Sequence, residues 1–112
     1  MSSLKNKKII ISAGASGIGW ATAKVCLDKG ATVFICDINE KYLAKTKKHK
    51  LNNKKLFIYK CDASNETDVK ELFDKINKKT NKIDCLINNV GIAGPTGTIE
   101  KLKSKEIGRA HV

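Results

Sequence analysis

A chain of 112 residues has the length of one small domain, enough to bury a core. With 41% hydrophobic and 29% charged residues it reads as globular rather than disordered, and no apolar run is long enough to cross a bilayer. The formal net charge of +11 raises nucleic acid or an anionic surface as partners. That charge is nearly all lysine, and its densest cluster, Lys45 to Lys55, has no interleaved aromatic or arginine. A solvated helix end and loop is therefore expected there, with His49 exposed inside it and without a partner, and neither nucleic acid nor membrane is expected to bind.

Met1 to Asn6 is a polar lead-in, and Met1 to Lys8 has no apolar segment of the kind a signal peptide needs, so a cytoplasmic location is expected. Lys7 to Ala13 is predicted as the first strand, and its continuous apolar centre suits a parallel strand covered on both faces. Glycines at 14, 17 and 19 then open a helix predicted from Gly17 to Lys29, with Ile18, Ala21, Val25 and Cys26 or Leu27 as its apolar face and Gly30 closing it. The second strand, Ala31 to Cys36, ends in Asp37. Asn39 is the predicted N-cap of a short helix from Glu40 to about Lys48, followed by a polar loop from Leu51 to Lys55.

The third strand, Leu56 to Cys61, ends in Asp62. Ser64 or Asn65 caps the third helix, where Val69, Leu72, Phe73 and Ile76 recur at helical spacing. A fourth strand, Ile83 to Ile87, runs into Asn88-Asn89-Val90-Gly91, and beyond it come a Gly- and Pro-bearing loop, Ile92 to Thr98, and a polar stretch from Ile99 to Glu106 that has helical character. The four cysteines, Cys26, Cys36, Cys61 and Cys85, have no CxxC spacing, so no metal site is expected. Three of them fall in predicted strands, where a reduced cysteine acts as a small hydrophobe.

Strand and helix alternate throughout, which implies right-handed crossovers and a parallel, doubly wound α/β sheet of the Rossmann type, here incomplete with about four strands and three to four helices. Ligands of such sheets bind at the carboxyl ends of the strands. There the glycine turn brings backbone close to a pyrophosphate and aims helix N–H groups at it. Asp37 lies eighteen residues beyond Gly19, close to the roughly 20-residue spacing at which an acid accepts from adenosine ribose hydroxyls; the plainer reading is a turn residue before Asn39. A carboxylate there repels a 2′-phosphate and favours NAD over NADP. Asp62 accepts from the adenine amino group or merely caps the third helix, and Asn89 to Gly91 bring backbone near a cofactor sugar, with Asn89 tying neighbouring strands.

These residues resemble the N-terminal half of a classical short-chain dehydrogenase/reductase, whose marks are a TGxxxGIG turn, an acid after the second strand in NAD-preferring members, an aspartate ending the third strand, and NNAG after the fourth. This chain has Ser12-Ala13-Gly14-Ala15-Ser16-Gly17-Ile18-Gly19, Asp37, Asp62-Ala63 and Asn88-Asn89-Val90-Gly91 in that order. The family's first glycine falls on Ala13, its threonine on Ser12 and its NNAG alanine on Val90. The resemblance implies an NAD(H)-dependent oxidoreductase acting on a small alcohol or carbonyl compound, homo-oligomeric in its full-length form. It also implies that Gly14, Ser16, Gly17, Ile18 and Gly19 cradle the pyrophosphate, Asp37 holds the ribose, Asp62 and Ala63 the adenine, and Asn89 and Gly91 the ribose side.

The family's catalytic Tyr-x-x-x-Lys pair, serine and asparagine all follow the NNAG strand. Tyr42 and Tyr59 precede it, and Tyr42 with Lys45 has the wrong spacing, so no catalytic residue is assigned and the chain alone is expected to be inactive. Residues 1–106 are expected to be the N-terminal part of the dinucleotide-binding domain. Ile107 to Val112 holds the chain's single arginine, Arg109, and its most natural back-translation resembles a common sequencing-library adapter, so a non-native tail is expected there. The alternative function is a non-catalytic small domain that binds a nucleotide, or RNA through its lysines.

Overall fold

The computed structural model describes residues 3–51 and 53–88. The chain runs β1 (Lys8–Ser12), α1 (Gly17–Asp28), β2 (Thr32–Asp37), α2 (Glu40–Lys50), β3 (Leu56–Lys60), α3 (Glu66–Asn77) and β4 (Cys85–Asn88). The strands form one sheet in the order β3-β2-β1-β4, and every pair is parallel. Expectations that fall on 89–112, including Asn89, Val90, Gly91 and the tail, lie outside the described residues.

Two cores flank the sheet, and strand periodicity sorts residues between them. Ile9, Ile11, Val33 and Ile35 face α1 and α2, where Ala23, Cys26 and Leu43 meet them. Ile10, Phe34 and Cys36 face α3, where Val69, Leu72, Phe73 and Ile76 meet them. Because both faces are covered, β1 and β2 are apolar at consecutive positions rather than alternate ones.

The face of α1 departs from expectation. Ile18 is 79% exposed and Val25 52% exposed, whereas Gly19, Ala23 and Cys26 are buried. The helix buries its small residues, which let its axis approach the sheet closely, with Trp20 and Leu27 packed half-buried beside them and Ile18 and Val25 pointing outward. By contrast α3 buries Val69, Leu72, Phe73 and Ile76 as its spacing predicts, and Asn65 rather than Ser64 caps it, accepting from the Asp68 amide at 3.0 Å. Asn39 caps α2 in the same way through the Tyr42 amide, and that helix extends to Lys50, two residues beyond its expected end.

β4 begins at Cys85 rather than Ile83, although Ile83 remains buried in the α3-side core. The intervening Asp84 accepts the Lys8 amide on its side chain at 2.8 Å and donates its own amide to the Lys8 carbonyl at 2.8 Å, closing the sheet at the opposite edge from the strand ends. All four cysteines are free. Cys36 lies in β2 and Cys61 just past β3, both buried, but Cys85 is exposed and so is no core hydrophobe. The Cys61 thiol hydrogen-bonded to it, together with burial, pushes the Cys36 thiol well above the usual cysteine range, which keeps it neutral.

Two outcomes follow from this packing. Ala23→Val, at a fully buried position, destabilises the chain by about 1–3 kcal/mol, whereas Ile18→Ala changes stability by about 0.5 kcal/mol or less, as read from urea midpoints. The Lys8 amide holds the Asp84 carboxyl below the ordinary carboxylate range. Its contribution is therefore full above the unfolded value near pH 4 and is lost as pH falls through the lower folded value. Asp84→Asn flattens the acid limb of a stability-against-pH curve; an unchanged acid limb would contradict the role given to Asp84.

Candidate functional site

The chemistry-bearing residues converge where β1, β2 and β3 end. Ser12, fully buried, donates its hydroxyl to Asn88 Oδ1 at 3.0 Å and lies 3.4 Å from the Ile87 carbonyl, tying β1 to β4. Asn88 is thus the described asparagine that links neighbouring strands, a role the sequence reading gave to Asn89. The register pairs Ser12 directly with Asn88, and a polar residue closing an otherwise apolar strand was the available signal.

After Ser12 the chain turns sharply. Ala13 has φ 51°, in the left-handed region where a β-carbon is costly, which is a physical reason for the glycine that the resembled family places there. Gly14 then passes so close to β2 that a β-carbon on it would lie 2.8 Å from the Ile35 side chain and 2.9 Å from the Ile11 carbonyl. Its amide donates to the Cys36 carbonyl at 3.1 Å. Contact with the protein itself is thus one reason for glycine at position 14.

Gly17 is the opposite case. Its φ of 57° also demands a residue without a β-carbon, but a β-carbon there would meet nothing within 4 Å. The turn is therefore open over the first residues of α1, whose amides have no carbonyl one turn back to bond. Ser16 is the N-cap, yet its side chain makes no cap hydrogen bond. Exposed Gly17 and Ile18 and the positive end of the helix form a cradle suited to an anion, with buried Gly19 anchoring it to the sheet.

Asp37 is the last residue of β2 and is 8% exposed. Its Oδ2 accepts the Ala15 amide at 3.2 Å, and its Oδ1 accepts the Asn39 amide at 3.0 Å. One carboxylate thus joins the glycine turn to the start of α2. The bond to Asn39 is the local turn bond that the plainer reading expects, and the one to Ala15 crosses to the glycine turn. Directly opposite in register stands Lys60, whose ammonium is held by Glu40 at 2.7 Å.

Asp62 follows β3, next to Asp37 through the Cys61 amide, which donates to the Asp37 carbonyl at 3.1 Å. It does not cap α3, since Asn65 does. Its Oδ1 instead accepts the Ser64 hydroxyl at 2.6 Å and the Ser64 amide at 2.9 Å, and these bonds hold its carboxyl below the usual range. Asp68 reaches back to accept the Asp62 amide at 3.1 Å, so the Asp62-Ala63-Ser64 corner is fixed from both sides. Ala63 packs half-buried against the α3-side core.

Gly14, Ser16, Gly17, Ile18, Gly19, Asp37, Asp62 and Ala63 are therefore brought to one edge of the sheet, while Asn89 and Gly91 lie outside the described residues. Among the described residues no group of three or more His, Cys, Asp or Glu is placed to hold a metal ion. The arrangement offers backbone N–H groups to an anion and, beside them, a buried carboxylate with acceptor capacity for neighbouring hydroxyls. Such a set is complementary to a ligand that carries a phosphate beside sugar hydroxyls, and the space over Gly17 is open.

The sequence model for short chain dehydrogenases matches residues 7–111. Short-chain dehydrogenase reductase 3c of Arabidopsis thaliana is 37% identical over 92 residues, covering 82% of this chain and 35% of that protein. A short chain dehydrogenase/reductase from Burkholderia phymatum, solved in complex with NAD, superposes with a TM-score of 0.69 at 25% identity, over 77% of this chain and 31% of that one. RhlG of Pseudomonas aeruginosa, solved as an active-site complex with NADP, shares the fold with a TM-score of 0.71 at 23% identity, over 98% of this chain and 42% of that one. The chain spans well under half the length of each of these proteins.

The strain at Ala13 and the crowding at Gly14 predict opposite effects of two small substitutions. Ala13→Gly relieves the left-handed residue and raises unfolding stability by about 1 kcal/mol. Gly14→Ala forces Ile35 and β1 apart and lowers it by about 1–3 kcal/mol. Urea unfolding of the two variants checks both signs.

Proposed function

This chain belongs to the short chain dehydrogenase family, and on that premise we propose that it is the cofactor-binding part of an NAD(H)-dependent oxidoreductase acting on a small alcohol or carbonyl compound. NAD, when bound, supplies the hydride acceptor, and NADH the donor. Everything else is binding and orientation by this chain's own groups. The amides at Ser16 to Gly19 and the positive end of α1 hold the pyrophosphate, with Gly14 setting the turn against β2. Asp62 and Ala63 border the adenine, and Asn89 and Gly91 border the sugar on the nicotinamide side.

The observation that carries the preference for NAD is the Asp37 carboxylate. A carboxylate offers about four acceptor positions. Ala15 and Asn39 use two, which leaves capacity for the ribose hydroxyls. A 2′-phosphate at the same place meets a negative charge that is 8% exposed and therefore poorly screened. Lys60 stands opposite, but its ammonium is engaged by Glu40 rather than offered to such a phosphate. Relatives of known structure carry either cofactor, one NAD and another NADP, so the local charge is the ground for this choice.

No catalytic residue is assigned within this chain. Tyr42 and Tyr59 both precede β4, and the family's Tyr-x-x-x-Lys pair belongs to the part beyond the NNAG turn. On this reading the chain binds cofactor without turning substrate over, and the whole enzyme is a cytoplasmic homo-oligomer. Among the described residues, no helix is long and apolar enough to cross a membrane.

Calorimetric titration of the chain with NAD and NADP tests the cofactor reading. NAD binds about tenfold or more tightly than NADP, a difference of roughly 1.4 kcal/mol. Asp37→Asn keeps an oxygen to accept the Ala15 amide but removes the charge, and it narrows the ratio toward one. Tighter binding of NADP by the unaltered chain would refute the preference.

A further inference from the structure

A groove of about 340 Å³ lies between α1 and the C-terminal end of α2. It is lined by Trp20, Lys24 and Asp28 of α1, by Lys48 and His49 of α2, and by Asn53. The Trp20 and His49 rings meet edge to face with centroids 5.0 Å apart, and the Lys24 ammonium lies 5.7 Å from the Trp20 ring. His49 is exposed, as expected, but it is not partnerless.

The lysine cluster is not without an aromatic neighbour. Within Lys45 to Lys55 there is no aromatic, yet the fold supplies one from twenty-five residues upstream and seats it against the middle of that cluster. The field around the groove is strongly one-sided. Six lysines and no acid fall between residues 45 and 55, and Asp28 is the one carboxylate in the lining. Among the described residues, Lys24, Lys45, Lys47 and Lys48 make no ion pair, even though Asp28 is one helical turn from Lys24.

We propose that this groove binds a single-stranded nucleic acid, with an unpaired base against Trp20 and His49 and the flanking phosphates on Lys24, Lys48 and the neighbouring lysines of α2. An aromatic face in a lysine field is what a base and its phosphates require together. A duplex is the poorer fit, because its bases are already stacked on each other and Trp20 is half-buried in the groove. The carboxylates of an acidic peptide would use the lysines but supply no planar ring for Trp20. The inference does not rest on the cofactor reading, since the groove and the glycine cradle share no residue.

Trp20 is the chain's single tryptophan, so its fluorescence reports on this groove alone. The 112-residue chain is titrated with a short oligouridylate in the presence of saturating NAD, with end-labelled oligonucleotide anisotropy as a second readout. The expected result is saturable quenching of Trp20 and an affinity that falls between about 50 and 200 mM salt. Trp20→Phe retains binding, Trp20→Ala weakens it about tenfold, and Lys48→Glu weakens it and flattens the salt dependence. His49→Ala, at an exposed position, gives the same direction of loss where Trp20→Ala fails to fold. No quenching would overturn the proposal. So would a heparin oligosaccharide or an acidic peptide that binds as tightly as the oligonucleotide, because charge alone would then explain the site. Binding that NAD displaces would assign the oligonucleotide to the cofactor cradle and overturn the groove, whereas a chain that binds oligonucleotide but not NAD would refute only the cofactor reading.

Discussion

One carboxylate connects the glycine turn to the second helix. Asp37 ends β2 beneath the glycine turn, and its hydrogen bonds to the Ala15 and Asn39 amides couple the start of α1 to the start of α2. It can do so because Gly14, lacking a β-carbon, lets the turn lie directly on Ile35 and donate to the Cys36 carbonyl. Remove either element and the amides of α1 lose their fixed position relative to β2. The same carboxylate that positions the glycine turn also sets the charge beside it, so the shape and the electrostatics of this corner share one residue.

The parallel sheet makes this convergence possible. With every strand pointing the same way, β1, β2 and β3 deliver the glycine turn, Asp37 and Asp62 to one edge, while Asp84 and Lys8 close the other. Sheet edges of this kind demand cover on both faces, and α1 and α2 on one side with α3 on the other supply it. The glycine turn and Asp37 are therefore built on central strands, β1 and β2, whose own residues are almost wholly buried.

Much of this was legible in the sequence because local and tertiary demands agree. The Asn65 cap, the Val69-Leu72-Phe73-Ile76 stripe and the apolar runs at Ile9–Ile11 and Val33–Cys36 say one thing at both levels. The face of α1 was not legible in that way. A search for large apolar side chains selects Ile18 and Val25, but the tight packing over the cradle favours Gly19 and Ala23, and size rather than hydrophobicity decides which side turns inward. The tie that Asn88 makes to Ser12 is not legible locally, because it depends on the register of β4 against β1.

The strained Ala13 and the Trp20–His49 groove share the same lesson in a different form. Ala13 looks like a conservative change until its φ is known, and the lysine cluster looks unaccompanied until α1 is laid beside α2. Both depend on geometry that no local window contains.

The most direct test of the cradle is amide chemical-shift mapping as NAD is added. The account predicts that the largest changes fall on Gly14 to Gly19, Asp37 and Asn39, and Asp62 to Ser64, with the amides of α3 beyond its first turn unmoved. Changes spread evenly over the lysine-rich surface, or changes that spare the glycine turn, would contradict it.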